Sequence, residues 1–172
     1  MSIKTVLSFL TAACLMVASQ VSLASGGSVT PVTNKLYVDE CGSCHFAYQP
    51  AFLPASSWRK VMETLDDHFG ENAELPNEDR DALTEYLVKN AGTGSGRGDI
   101  AKFIRSIRSG DVPLRISELP YFQKEHRKIP QRIVESEQVG SLSKCETCHR
   151  RAAEGSYRER EINIPGYGRW DD

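Results

Sequence analysis

A chain of 172 residues with 40% hydrophobic residues has the length of one mid-sized domain or two small ones. Its formal net charge is −2, and no Lys/Arg run forms a basic stripe, which argues against a nucleic-acid partner. The arginines between 150 and 160 alternate with Glu154, Glu159 and Glu161, the pattern of a solvated mixed-charge surface.

The chain opens like a secretory leader. Lys4 is followed by an apolar run from Val6 to Val21 and by the small-x-small site Ser22-Leu23-Ala24. Ser8, Thr11, Ser19 and Gln20 interrupt the run, so it is short for a membrane span. Residues 1–24 are expected to be removed, Cys14 with them. The mature protein is then not membrane-spanning, and it lies in an oxidising compartment, the periplasm.

Residues 25–33 form a Gly/Ser/Thr/Pro leader expected to be mobile. Asn34 to His45 reads as a short helix presenting Cys41-Gly42-Ser43-Cys44-His45. A second helix starts at Ser56 or Ser57. Trp58, Val61, Met62, Leu65, His68 and Phe69 follow at helical spacing, and Gly70 closes it. Asn77 can cap a third helix, with Glu78 and Asp79 in the first turn and Ala82, Leu83, Tyr86 and Leu87 along its stripe. Gly92 to Gly98 is the best linker candidate.

The second half opens on a helix with Asp99 as cap and Ile100, Phe103, Ile104 and Ile107 on one face. Val112 to Ile116 is at most an edge strand, because Pro113 interrupts it. Pro120 can open a short helix carrying His126. Ser143 can cap another, holding Cys145-Glu146-Thr147-Cys148-His149, with Gly155 closing it. The tail from Ile162 to Trp170 is expected to wrap irregularly, with Ile164, Tyr167 or Trp170 packing. Three segments result: a signal peptide at 1–24, an N-terminal haem-binding domain at 25–93 and a C-terminal one at 94–172. Each half is short for a core of its own, and a bound cofactor would add apolar bulk.

Both Cys-x-x-Cys-His motifs carry the same chemistry. Two thiols add to the haem vinyl groups, and the adjacent His binds iron from below. Cys41, Cys44, Cys145 and Cys148 would attach two covalently bound haem c groups, with His45 and His149 as proximal ligands. A zinc ribbon would space its cysteine pairs about 15–20 residues apart, whereas these are separated by most of the chain. A thioredoxin-like dithiol has no need of the histidine.

The sequence contains four histidines. His68 and His126 are therefore available as second axial ligands, one in each half. Met62 competes with His68, since His/Met ligation is common in cytochromes c. At the second iron the alternatives to His126 are lysine, water or an open position. His126 stands among Lys124, Glu125, Arg127 and Lys128, where a solvent-facing histidine is also natural. The ligands could pair within the halves or across them. Trp58, Met62 and Phe69 are expected to pack on haem. Bis-His ligation would close both irons to substrate and describes an electron carrier. An open second iron would instead fit a dihaem peroxidase or small oxyanion reductase.

The order of motifs resembles the small periplasmic dihaem cytochromes c, the DHC family. The likeness runs through Cys41-Gly42-Ser43-Cys44-His45, Tyr48, Pro50, Leu53-Pro54, Ser57-Trp58, Met62, His68-Phe69-Gly70, Tyr86-Leu87, His126 and Cys145-Glu146-Thr147-Cys148-His149. It implies a mostly α fold, with a first half similar to class I cytochrome c and a less regular second half. It also implies bis-His haems with His68 and His126 in the distal positions. The partners it implies are a high-spin monohaem cytochrome c as acceptor and a membrane cytochrome b as donor.

Overall fold

The structure is a computed structural model, and it describes residues 27–170. The expected leader at 1–24 and Cys14 lie outside the described residues. The described chain is mostly helical. Seven short helices, α1 (Lys35–Cys41), α2 (Ala55–Glu63), α3 (Asn77–Lys89), α4 (Asp99–Arg105), α5 (Pro120–His126), α6 (Gln131–Val134) and α7 (Cys145–Cys148), precede a small antiparallel hairpin. The hairpin pairs β1 (Asn163–Ile164) with β2 (Gly168–Arg169), Ile164 opposite Gly168.

Asn34 starts α1 by accepting a hydrogen bond from the Tyr37 amide, 2.9 Å, through its side chain. The buried Tyr37 hydroxyl then donates to the Tyr48 carbonyl, 2.9 Å. α2 and α3 pack against each other, burying Trp58, Val61 and Met62 from one and Leu83 and Leu87 from the other. The Trp58 indole donates to the Pro50 carbonyl, 2.7 Å, so the ring is buried without losing its polar contact.

Several boundaries differ from the sequence expectation. α2 begins after Pro54, one or two residues before the expected serine caps, and it stops at Glu63 instead of running on to Phe69. The Thr64 hydroxyl folds back on the Lys60 carbonyl, 3.0 Å, a contact that competes with helix continuation. Two acids, Asp66 and Asp67, follow where the helix dipole disfavours negative charge. Asp67 instead accepts from the Gly70 amide, 3.0 Å, and Phe69 turns to φ 60°. His68 therefore sits on a tight turn, with its amide bonded to the Glu71 carbonyl at 2.7 Å.

Asn77 and Asp99 are the first residues of α3 and α4, not their caps. Asp99 accepts from the Gly27 amide, 3.0 Å, and from Lys102, 2.8 Å. α4 ends at Arg105, short of Ile107. The segment around Val112 is not a strand. α7 is a single turn preceded by Lys144, with Ser143 outside it. Pro120 opens α5 as expected.

Residues 28 and 29 of the segment expected to be mobile are tied down. The Val29 amide donates to the Gly155 carbonyl, 2.8 Å, and Ser28 pairs with Ser156. The Gly-rich stretch is held too, since Arg105 donates to the Gly94 carbonyl at 2.9 Å and to the Gly96 carbonyl at 3.2 Å. The main core crosses the expected boundary near residue 93. Phe103, Leu119 and Phe122 join Tyr37, Leu53, Trp58, Leu83 and Leu87 in one cluster. A second, smaller cluster holds Ile133, Val139 and Ile164, with Trp170 against it.

Gly155 stands at φ 74°, and a Cβ there would meet the Val29 carbonyl oxygen at 1.9 Å. Left-handed backbone and a blocked Cβ both penalise alanine. Gly155→Ala should cost about 1–3 kcal/mol in chemical unfolding of the holoprotein. An unchanged midpoint would show that the contact between residues 27–29 and the 155 turn is dispensable.

Candidate functional site

The two motifs build two separate slots, each with two thiols and two imidazoles. At the first, Cys41 closes α1, and the chain turns so that Cys44 and His45 follow at the surface. The His45 Nδ1 lies 2.8 Å from the Phe46 carbonyl. A carbonyl only accepts, so Nδ1 carries the proton and Nε2 keeps its lone pair for a metal. The His45 ring stacks on Tyr48, with centroids 5.1 Å apart.

Across the slot stands His68, its ring centroid 6.1 Å from that of His45 and its plane 20° away. The turn that ended α2 early is what brings it there. Phe69 tilts against His68 at 4.7 Å, and the Arg115 guanidinium lies over Phe69 at 3.8 Å. A cavity of about 320 Å³ opens beside His68, lined by Val61, Thr64, Leu114 and Arg115 among others. Burial holds the His68 pKa below its usual value, and the neighbouring His45 and Arg115 add to the shift.

The second slot is more enclosed. Cys145 and Cys148 bracket the single turn of α7, and His149 follows with its amide bonded to the Cys145 carbonyl, 2.8 Å. His126, the last residue of α5, points its ring at His149, centroid to centroid 6.2 Å, with the planes 71° apart. Nδ1 of His126 lies 2.9 Å from the Phe122 carbonyl, so here too Nε2 is left unprotonated. The His126 ring stacks on Phe122 at 3.9 Å and 12°. Although its charged neighbours are exposed, His126 is half-buried. Burial, then the nearby His126, brings the His149 pKa down to about 4. A cavity of about 220 Å³ adjoins His126, Cys145, Cys148 and His149.

The lowered pKa values of His68 and His149 favour the uncharged imidazole, the form that binds metal. The Cys41, Cys145 and Cys148 thiols are held in the protonated form. Burial pushes Cys41 up to about 11, with Glu40 adding, and Cys145 up to about 12, with Glu146 adding. The geometry fits a haem iron. Two imidazoles holding one metal between them, with metal–nitrogen bonds of about 2 Å and about 1 Å more from nitrogen to ring centre, would have centroids roughly 6 Å apart. The histidines pair within each half, His45 with His68 and His126 with His149. Met62 is buried in the main core beside Trp58, and His68 holds the position across from His45. Phe69 lies against His68, as a haem-packing residue would.

The family model for dihaem cytochrome c matches residues 37–157 of this chain. The chain belongs to the dihaem cytochrome c family. It is an electron-transfer haem protein with two covalently bound haem c groups. Three solved structures are similar to this dihaem cytochrome c. A new dihaem cytochrome c from Shewanella baltica OS155 is 38% identical, with 80% of this chain and 98% of that one covered and a TM-score of 0.66. A dihaem cytochrome c from Rhodobacter sphaeroides is 41% identical, with 75% and 100% covered and a TM-score of 0.67. A second structure from that organism is 38% identical, with 74% and 99% covered and a TM-score of 0.59. No curated protein matches.

Four residues that frame the slots escaped the sequence argument. Phe122 lies one turn before His126 on α5, and the i, i+4 spacing would have pointed to it. Gln49, Tyr157 and Arg115 reach the slots from distant segments, and no local pattern marks them. Gln49 is buried, its amide donating to the Ala152 carbonyl at 2.6 Å and its oxygen accepting from Tyr157 at 2.5 Å. Tyr157 in turn tilts against His149, 5.2 Å.

Each attachment site has its own thiols, so the haems should be lost one at a time. The double variant Cys145→Ala, Cys148→Ala should carry one haem, read as half the pyridine haemochrome absorbance per protein and a mass lower by one haem group. Loss of both haems would mean that the first slot does not form without the second.

Proposed function

We propose that this dihaem cytochrome c is a periplasmic electron carrier whose two irons are each held by two histidines. His45 and His68 serve the first iron, and His149 and His126 the second. The supporting observation is the pair of ring separations, 6.1 Å and 6.2 Å, each matching an iron between two imidazole nitrogens. Bound there, each haem supplies one iron that cycles between two oxidation states.

The chain's own residues do the rest. The Phe46 and Phe122 carbonyls fix the tautomers of His45 and His126, and imidazoles hydrogen-bonded in this way are better donors. Two nitrogen ligands lack the thioether that raises the potential of His/Met cytochromes, so both couples should lie on the reducing side of that class. With both axial positions taken, substrate cannot reach iron, which separates a carrier from a dihaem peroxidase or oxyanion reductase. The apolar leader at 1–24 supports export. Among the described residues no helix is long and apolar enough to cross a membrane. The proposed partners are redox proteins, a membrane cytochrome b as donor and a high-spin monohaem cytochrome c as acceptor.

Electron paramagnetic resonance of the oxidised protein tests the ligation. Two low-spin ferric signals are expected, one per haem. His68→Ala and His126→Ala should each turn one haem high-spin, and Met62→Leu should leave both low-spin. A high-spin signal in the unmodified protein, or rapid cyanide binding, would favour the enzyme reading.

A further inference from the structure

The two imidazole pairs share a separation but not an orientation. Their planes are 20° apart at the first slot and 71° apart at the second. The difference has visible causes in the packing. His126 is held twice by Phe122, through the 2.9 Å bond from Nδ1 to the carbonyl and through the near-parallel ring at 3.9 Å. Phe122 is itself only 4% exposed and belongs to the main core, so it cannot turn with the histidine.

His149 is set independently. Its amide is tied to Cys145, its backbone pairs with Ile162, and Tyr157 tilts against its ring. The Nδ1 of His149 is buried without a hydrogen-bond partner, so packing and not a hydrogen bond fixes this plane. At the first slot His45 is held by Phe46 and Tyr48, whereas Phe122 stacks on His126 at the second.

We infer that Phe122 is a positioning residue that turns the His126 imidazole across that of His149, giving the second haem near-perpendicular axial planes while the first has near-parallel ones. The inference rests on the bis-His reading above. Its consequence is electronic. An imidazole donates π density perpendicular to its own ring. Two parallel rings donate into the same iron d orbital and split it from its partner. Two crossed rings raise both orbitals alike and leave them nearly degenerate. A ferric hole in a nearly degenerate pair keeps a large orbital moment, so its magnetic anisotropy is large. With parallel planes the half-filled orbital is fixed to one direction in the haem plane, and with crossed planes it is not.

Low-temperature electron paramagnetic resonance of the ferric holoprotein reads this directly. The expected spectrum has one ordinary rhombic low-spin signal and one low-spin signal with a much larger, isolated gmax. Phe122→Leu keeps the carbonyl and most of the apolar volume but removes the stacking plane. It should move the large gmax toward the rhombic position, leaving the other signal in place and both haems low-spin. Phe122→Tyr keeps the plane and should retain the large gmax. Two rhombic signals in the unmodified protein would overturn the inference, as would a large gmax that Phe122→Leu leaves unmoved. Should Phe122→Leu not yield holoprotein, Phe122→Met carries the same two outcomes. A high-spin ferric signal in the unmodified protein would instead remove the bis-His reading beneath it.

Discussion

Two imidazoles facing each other about 6 Å apart form an arrangement that a folded chain does not adopt for its own stability. The half-buried His68, His126 and His149 forgo part of their hydration and gain little from the facing ring. Here the arrangement occurs twice, and the surrounding structure is organised to hold it. α2 is cut short so that His68 comes off a turn and faces His45. α5 ends on His126, and its preceding turn supplies both the carbonyl and the ring that lock the imidazole. The motif turns then set the opposing histidines, with the paired thiols a few residues away. Were the four histidines to hold the two irons, such preorganisation would limit the rearrangement that accompanies each electron.

The chemistry of the site was legible in the sequence because it depends on residue type and close spacing. Two Cys-x-x-Cys-His motifs and a census of two more histidines pointed to eight residues, and the structure brings the four histidines together as two facing pairs. Helix existence was legible too, since α2, α3, α4 and α5 follow from apolar stripes and from Pro120. What periodicity could not show was where α2 stops. Leu65, His68 and Phe69 continue its stripe, yet Thr64, Asp66 and Asp67 end the helix through local polar contacts. The stripe signal put His68 on a helix face, whereas it faces His45 from a turn beyond the helix end. The single turn of α7 was over-read as a longer helix, because a motif that must present two thiols and a histidine needs only one turn.

The relation between the halves was the least legible feature, because it rests on long-range polar contacts without a pattern. Tyr48 stacks on His45 and donates to the Ser143 carbonyl at 2.8 Å, two residues before Cys145. The next residue, Gln49, is buried and bonds both Ala152 and Tyr157, and Tyr157 lies against His149. One dipeptide of the first half thereby touches the proximal side of both slots. Buried side-chain amides are costly unless their bonds are made, so Gln49 specifies one alignment of the halves and disfavours others.

The apolar core reinforces that alignment, with Phe52 contacting Phe103 at 5.3 Å and Tyr157 at 5.2 Å. Two slots built on separate, mobile lobes would let the distance between irons fluctuate. Electron tunnelling falls steeply with distance, so its rate would fluctuate as well. A shared core and a buried glutamine bonded across the halves restrict such motion. Were electrons to pass from one haem to the other, a fixed gap would matter more than independent stability of each half. The short length of each half is then no defect, since neither half has to hold its haem alone.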